Sequence, residues 1–403
     1  RAGFGWKNGP FQIWDSLGLK KGVEIMESLG YKPADWVSDM ISNNINNFYK
    51  VENGITNYYD INTKTFIPKP GQGSLIILNN LNKSSIVWEN TDSVIKDIGD
   101  GVINLEFRTK MNTLGQGVLM GINKAVDLAE KNFRGIVIGN EGSHFSAGAN
   151  LGAIFMASAE QEYDEINLAI KFFQDSMMKL RYSSIPVIAA PHGLTLGGGC
   201  EVTMHCDKAV AYSESYIGLV EVGAGLIPGG GGCKEMLARW LETEEAKKDP
   251  DFAPQKVFDI IGYGKTASSP TEAMPFKFLL EKDKSIMNRN KLLSVSQNLI
   301  NEKKDRYKPP KQPTFKLSGG QVRDKMFQTL ENLFKEKKIL EHGMEVGKKL
   351  AFVLSGGNTT IDKELSEDDM YALELEAFVQ LIQMEKTQAR IKHTLSTGKP
   401  LVN

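Results

Sequence analysis

Ile185-Pro-Val-Ile-Ala-Ala190, continued by Pro191-His-Gly-Leu-Thr-Leu-Gly-Gly-Gly-Cys-Glu201, is the stretch that decides the fold of this chain. A short apolar run ending in three glycines predicts a buried strand, Val187–Ala190, that feeds a strand-to-helix turn. Glycine leaves the main chain bare, so a ligand can come close to a backbone N–H such as that of Gly198, and an amide placed there can stabilise a developing oxyanion. Glu201 stands just beyond. A second carboxylate, Glu221, precedes the glycine-rich Gly223-Ala-Gly-Leu-Ile-Pro-Gly-Gly-Gly-Gly232. Two carboxylates framed by exposed amides point to acid/base chemistry on a carbonyl compound.

Working upstream, Gly142-Ser-His-Phe-Ser-Ala-Gly-Ala-Asn-Leu151 follows the apolar run Gly135–Ile138. Taken alone it is a tight strand-to-helix turn capped by Asn150. Paired with the turn at Gly198, it offers a second amide, that of Ala147, for a two-donor oxyanion hole.

The 403 residues, 41% hydrophobic, are enough for two or three domains and a sizeable core. With 48 basic against 49 acidic residues, the net charge of −1 carries no nucleic-acid footprint. Cys200, Cys206 and Cys233 make no even framework and no Cys-x-x-Cys pair, which favours a reducing compartment, and the cytoplasm is expected. No apolar run is long enough for membrane insertion.

The expected architecture is α/β. Residues 1–50 read as a small helical unit, with apolar spacing over Trp14–Leu29 and more weakly over Ala34–Phe48. Residues 51–73 are polar and turn-rich and read as a linker. A domain is expected over 74–302, with a β-rich lead-in at Leu75–Leu78, Ser85–Trp88, Ser93–Ile98 and Val102–Phe107, then helices over Leu114–Lys131 and Ala159–Leu180 alternating with strands. Residues 303–318, rich in Lys and Pro, read as a second, extended linker, and 319–403 as helices at about 319–337, 340–355 and 367–395, the last capped by Ser366.

Phe145-Ser-Ala-Gly-Ala-Asn-Leu151, Pro186–Glu201, Gly218-Leu-Val-Glu221 and Gly225-Leu-Ile-Pro-Gly229 together resemble the signature of the enoyl-CoA hydratase (crotonase) family over roughly residues 95–285. The resemblance implies a crotonase-like ββα spiral core. It implies that the amides of Ala147 and Gly198 hold a thioester oxygen and that Glu201 and Glu221 hold a water at the β-carbon. Gly229 is then expected to open a helix whose positive end faces the same carbonyl. Relatives with other chemistries keep the oxyanion hole but replace one or both carboxylates, so the presence of both implies hydration, with Glu221 as proton donor and Glu201 as water-orienting base. One carboxyl must then be protonated and the other ionised. A 3-enoyl to 2-enoyl-CoA isomerase and a non-catalytic assembly module are the alternatives.

The same resemblance lays Arg108, Lys110 and Met111, with Gly148, Ala149 and Asn150, along the coenzyme A site. A solvated surface explains Arg108 and Lys110 equally well, and Asn150 departs from the aspartate common at that position. His205 with Cys200 and Cys206 matches no zinc spacing, so no metal is expected. His144 and His192, in the small-residue turns, read as structural or solvent-facing, with contact to coenzyme A as the alternative.

The chain begins at Arg1 and enters directly on an aromatic stretch, Gly3–Gly18, that resembles the end of the helical domain of 3-hydroxyacyl-CoA dehydrogenases. Its tail resembles the end of bacterial fusions of that enzyme with a hydratase. The expectation is a C-terminal part of such a fusion, whose NAD belongs to a dehydrogenase half not included and whose own chemistry needs no cofactor beyond the coenzyme A of its acyl-CoA substrate. A trimer-like homo-oligomer or association with the dehydrogenase domain is expected on the same ground.

Overall fold

The protein is described here by a computed structural model covering residues 6, 8–52, 54–303 and 306–403. Residues 1–5 and 7 of the aromatic opening stretch, Asn53 of the first expected linker and residues 304–305 of the second lie outside it. The chain divides into two units, Arg1–Ser85 and Ile86–Asn403.

The first unit carries three short helices, α1 (Pro10–Leu17), α2 (Leu19–Ser28) and α3 (Asp35–Ser42), and three antiparallel strands, β1 (Tyr49–Glu52), β2 (Ile55–Asp60) and β3 (Thr65–Pro68). The single helix expected over 14–29 is two, because Gly18 sits at φ 90°, a conformation that breaks helical geometry. The expected linker 51–73 is corrected: most of it is this meander. The Asn, Gly and Asp residues mark hairpin turns, and the alternation that buries Asn57 and Tyr59 of β2 is that of a strand with one covered face. Tyr59 joins Leu19, Val37, Met40 and Phe48 in a small core. Asp15 ties α1 to the sheet by accepting the N–H groups of Phe48 (2.7 Å) and Tyr49 (2.9 Å). The strand expected at 75–78 is absent. Leu78–Asn80 forms a 3₁₀ turn instead, and residues 74–85 group with this first unit rather than with the domain expected from 74.

The second unit begins with an antiparallel β4 (Ile86–Glu89), β5 (Ser93–Asp97) and β6 (Val102–Phe107), followed by α4 (Gln116–Asn132) and β7 (Gly135–Ile138). Next come α5 (Leu151–Ala159), α6 (Tyr163–Arg181), β8 (Val187–Ala189), β9 (Gly193–Leu196), α7 (Gly198–His205), β10 (Lys208–Tyr212) and β11 (Ser215–Gly218). A 3₁₀ turn over Glu221–Ala224 leads to α8 (Gly232–Leu241), α9 (Glu244–Lys248), α10 (Phe252–Gly262), β12 (Thr266–Ala267), α11 (Pro270–Ala273), β13 (Lys284–Ile286) and α12 (Leu292–Lys303). The tail holds β14 (Phe315–Lys316), α13 (Gly320–Lys335), α14 (Glu341–Leu354), β15 (Glu364–Leu365), α15 (Glu367–Ile382) and α16 (Glu385–Thr397).

Seven strands form one sheet in the order β13-β10-β8-β7-β6-β5-β4, and β12-β11-β9 form another. From β6 to β13 the first sheet is parallel, as helical crossovers require, with Ile103 opposite Ile136 and Ile136 opposite Val187. These three residues are fully buried, as expected of strands covered on both faces. In the second sheet β9 and β11 run parallel, and Thr195 faces Ile217. That pairing brings the glycine turn after β9 beside the segment after β11, where Glu221 lies.

The helix expected over 367–395 is broken at Met384, whose ψ of 129° is extended. Ser366 and Asp369 form a reciprocal capping box at the start of α15. Apolar residues of the tail, from Phe315 to Ile391, share one core with Ile166, Met204, Ile217, Leu226 and Phe258. The tail is thus part of the second unit. Among the described residues, no helix is long and apolar enough to cross a membrane.

Candidate active site

Two turns meet here. A parallel bridge between Ser146 and Thr195 aligns the segment after β7 with β9: the Ser146 N–H donates to the Leu194 carbonyl, and the Ser146 carbonyl accepts the Leu196 N–H, each at 3.0 Å. Gly148, at φ +100°, passes so close to Leu196 and Gly198 that a Cβ would lie 2.9 Å from the Leu196 carbonyl oxygen. A side chain on Gly198 would meet Leu114 at 3.0 Å and Phe173 at 3.2 Å. Both glycines are therefore required by close approach, as the sequence suggests. The Gly198 N–H is the first of α7, a position with no acceptor inside its own helix.

The Ala147 amide differs from expectation. It donates to the Met111 carbonyl oxygen at 3.1 Å, so it is engaged within the protein. Met111 and its neighbour Asn112 both lie in the left-handed region, at φ 57° and 53°, and Asn112 Nδ2 donates to the His144 carbonyl at 2.9 Å.

The two carboxylates are brought together in unequal surroundings. Glu201 points back from the first turn of α7, and its Oε1 accepts the N–H groups of Gly230 (2.9 Å) and Gly232 (2.8 Å). Burial pushes its pKa up to about 7, against the pull of those amides and of Lys234. Glu221 heads the 3₁₀ turn, with Oε1 against Gly197, where φ is +52° and a Cβ would come within 2.9 Å of that oxygen. Its Oε2 is fully buried and has no hydrogen-bond partner among the described residues. Burial, then the charge of Glu201, holds Glu221 well above the ordinary carboxylate range. Glu201 thus has amide donors and Lys234 favouring its anion, whereas in Glu221 the main-chain N–H groups of Val220 and Glu221 itself are outweighed by burial and Oε2 has no donor.

The expected role of Gly229 requires correction. The helix opens at Gly232, and its leading amides are taken by carboxylates. Glu201 takes those of Gly230 and Gly232, and Glu374, from tail helix α15, takes those of Gly231 (2.9 Å) and Lys234 (2.6 Å). Gly229 itself packs under Phe378 and gives its carbonyl to Gln174 Nε2 at 2.9 Å. Glu374 is fully buried, and burial followed by the charge of Glu201 raises it to about 8. Its place beside Glu201 escapes sequence reasoning, since nothing local marks one carboxylate in an amphipathic helix as inward-facing.

Beside this set lies a buried ionic cluster. Lys234 is fully buried, with Glu367 at 2.7 Å and Glu235 at 3.3 Å, and Arg181 and Arg239 also pair with Glu235. Burial pushes Glu235 up, and Arg181, Lys234 and Arg239 more than reverse that, leaving it well below the usual carboxylate range. His205 gives Nδ1 to the Glu201 carbonyl, and its Nε2 meets Lys234 and Tyr371. Burial first, then Lys234, holds it neutral.

The remaining candidates divide between the surface and the paired turns. Arg108 pairs with Glu89 at 3.2 Å on the surface, and Lys110 and Met111 are exposed. Gly148 N–H bonds Ser146 Oγ, Ala149 bridges to Leu114, and Asn150 caps α5 through Ala153 N. His144 accepts from Leu194 N and His192 is buried against two carbonyls, so both are structural in this arrangement. All three cysteines are buried and free, and the described residues hold no His, Cys, Asp or Glu group of three suited to a metal.

Residues 97–249 match the family described as Enoyl-CoA hydratase/isomerase. A "Probable 3-hydroxyacyl-CoA dehydrogenase" of Bacillus subtilis (strain 168) is 37% identical over 402 residues, which is 100% of this chain and 50% of that protein. The fatty acid oxidation complex subunit alpha of Colwellia psychrerythraea is 33% identical over 136 residues, 32% of this chain and 19% of its own length. The chain thus spans half or less of the length of these relatives. Among solved structures, an enoyl-CoA hydratase from Bacillus halodurans aligns with a TM-score of 0.51 at 14% identity, covering 75% of this chain and 99% of its own. An enoyl-CoA hydratase/isomerase from Xanthobacter autotrophicus Py2 aligns at 0.50 and 17%, covering 77% and 95%. At those identities the likeness is one of fold.

Proposed function

The chain belongs to the enoyl-CoA hydratase/isomerase (crotonase) family, and from that premise we propose that it adds water across the 2,3 double bond of 2-enoyl-CoA thioesters, within the fatty-acid oxidation that the name of the Colwellia relative describes. The observation that carries the reading is the contrast between Glu201, whose Oε1 takes two amides, and Glu221, whose Oε2 is buried without a partner.

In this reading the thioester oxygen sits at the Gly198 N–H and is joined by the Ala147 N–H once Met111 releases it. Polarisation draws electron density from the double bond toward that oxygen, and preorganised amides act on the charge as it develops. Glu201, the more readily ionised of the two, orients a water and takes its proton as the oxygen attacks the β-carbon. Glu221, the carboxyl held protonated, gives its proton to the α-carbon. The enzyme's proton count is restored when the proton on Glu201 passes to Glu221. Coenzyme A enters only as part of the substrate.

The conjugated enoyl thioester absorbs in the ultraviolet and its hydrated product does not. The expected result is loss of that absorbance from a 2-enoyl-CoA, reduced about 10²- to 10⁴-fold in Glu221→Gln, the span of general acid–base effects. Consumption of a 3-enoyl-CoA without hydration of the 2-enoyl isomer would replace this reading with isomerisation. Unchanged turnover in Glu221→Gln would remove the carboxylate from the mechanism.

A further inference from the structure

Helix α15 presents Glu367, Tyr371 and Glu374 at i, i+4 and i+7, on one face. All three are buried, and all three reach the start of α8 or the helix beside it. Glu367 meets Lys234 Nζ at 2.7 Å, Tyr371 OH lies 3.2 Å from His205 Nε2, and Glu374 accepts the Gly231 and Lys234 amides. Along the turn the acceptors therefore alternate. Gly230 and Gly232 give their N–H groups to Glu201, whereas Gly231 and Lys234 give theirs to Glu374.

The turn cannot hold this shape through its own residues. Gly229 to Gly232 are four glycines, the residue with the widest backbone freedom, and Gly231 sits at φ +105°. Its conformation is fixed from outside. A Cβ on Gly230 would come within 2.6 Å of Phe173, and one on Gly231 within 2.7 Å of the Tyr371 hydroxyl. Gln174 Nε2 donates to the carbonyl of Gly229, and the amides of the turn are held by the two carboxylates, one from the site helix α7 and one from the tail.

We propose that Glu374 is a positioning residue of the reaction site: by holding the Gly231 and Lys234 amides it keeps the Gly230 amide before them and the Gly232 amide between them aimed at Glu201. The tail helix then acts as a structural part of the reacting set, 143 residues distant in sequence from the glycine it grips. This inference rests on the assignment of Glu201 as a reacting carboxylate.

The test compares Glu374→Gln and Glu374→Asp with the wild type in two measurements. In steady-state hydration of a 2-enoyl-CoA, Glu374→Gln keeps one acceptor but sets an NH₂ against an N–H. Its kcat is expected to fall about 10²-fold, as small misplacements of reacting groups do, with KM nearly unchanged. Glu374→Asp keeps a carboxyl group with two acceptor oxygens and no NH₂, and restores part of the loss. In amide hydrogen exchange, a peptide spanning 229–235 loses protection in Glu374→Gln while the strands β6 to β8 keep theirs. Wild-type kcat in a folded Glu374→Gln protein, or unchanged protection of 229–235, overturns the proposal. Should Glu374→Gln fail to fold, Glu374→Asp is read in its place: lowered kcat with lowered protection supports the clamp, and wild-type values in both refute it. If the wild type hydrates nothing, the proposed function falls, and the exchange measurement decides the clamp by itself.

Discussion

Met111 and Ala147 are joined by a main-chain hydrogen bond of 3.1 Å, so a carbonyl of the protein occupies the amide at which a thioester oxygen is expected. The bond rests on two consecutive residues in the left-handed region, Met111 and Asn112, a conformation that costs an L-residue about 1–2 kcal/mol each. Binding of an acyl-CoA to both donors requires this carbonyl to leave. In a crystal structure with a saturated acyl-CoA thioester, which keeps the carbonyl but has no double bond to hydrate, the Met111 oxygen should lie beyond about 3.5 Å from the Ala147 nitrogen. A bond retained in that complex would reduce the oxyanion hole to Gly198 alone.

The pH dependence of stability follows from Glu221. Burial and the charge of Glu201 raise its folded pKa, so its contribution is fully present below the unfolded value and is lost as pH rises toward the folded one. Glutamine has no proton to lose there. The Tm of Glu221→Gln minus that of the wild type should therefore increase as pH rises from about 4.3 to neutrality. A difference that stays flat would mean that the folded carboxyl titrates as in a free peptide.

Gly197 carries two constraints at once, a φ of +52° and a missing Cβ whose place is 2.9 Å from Glu221 Oε1. Gly197→Ala should cost about 1–3 kcal/mol through backbone strain. It should also displace the carboxyl, so kcat falls by more than the loss of folded protein explains. Denaturant titration beside kinetics on the folded fraction separates the two effects. Full specific activity in the folded fraction would show that Glu221 has room to spare.

Lys234 is an ammonium with no exposure, flanked by Glu367 and Glu235. Removing one member of a buried ion pair strands the other charge, typically at about 3–5 kcal/mol. Lys234→Met should lose an amount of that order. Adding Glu367→Gln should recover much of it, whereas Glu235 keeps Arg181 and Arg239 as partners. Strict additivity of the two substitutions in urea unfolding would rule out the coupling.

What was legible in the sequence was local. A strand ending in small residues, read at Ala147 and at Gly198, fixed the position of both turns, because close backbone approach leaves only glycine or alanine as a choice there. Val102–Phe107 is legible to the residue because Gly99-Asp-Gly101 and Arg108 bracket a mainly apolar run that opens on the β-branched pair Val102-Ile103. The meander at 49–68 was missed because its turn residues outnumber its buried ones, and Asn57 and Tyr59 are covered only through contacts absent from any short window. Glu374 was missed for a related reason. Its register on an amphipathic helix is ordinary, and its partner amides become visible only when α15 docks against α8. The occupied Ala147 amide was equally hidden, since two left-handed residues at Met111-Asn112 carry no glycine to announce them.

The Lys- and Pro-rich stretch after α12 stands out in the sequence, yet Phe315, Leu350, Phe378 and Ile391 on its far side share a core with Met204 and Leu226 on its near side. A seam in the sequence is therefore not a seam in the energy. Residues before and after this stretch should melt in one transition, and a chain cut at the proline-rich segment would expose apolar surface on both pieces. For gene rearrangement, the consequence is that the tail and the hydratase-like core must be inherited together.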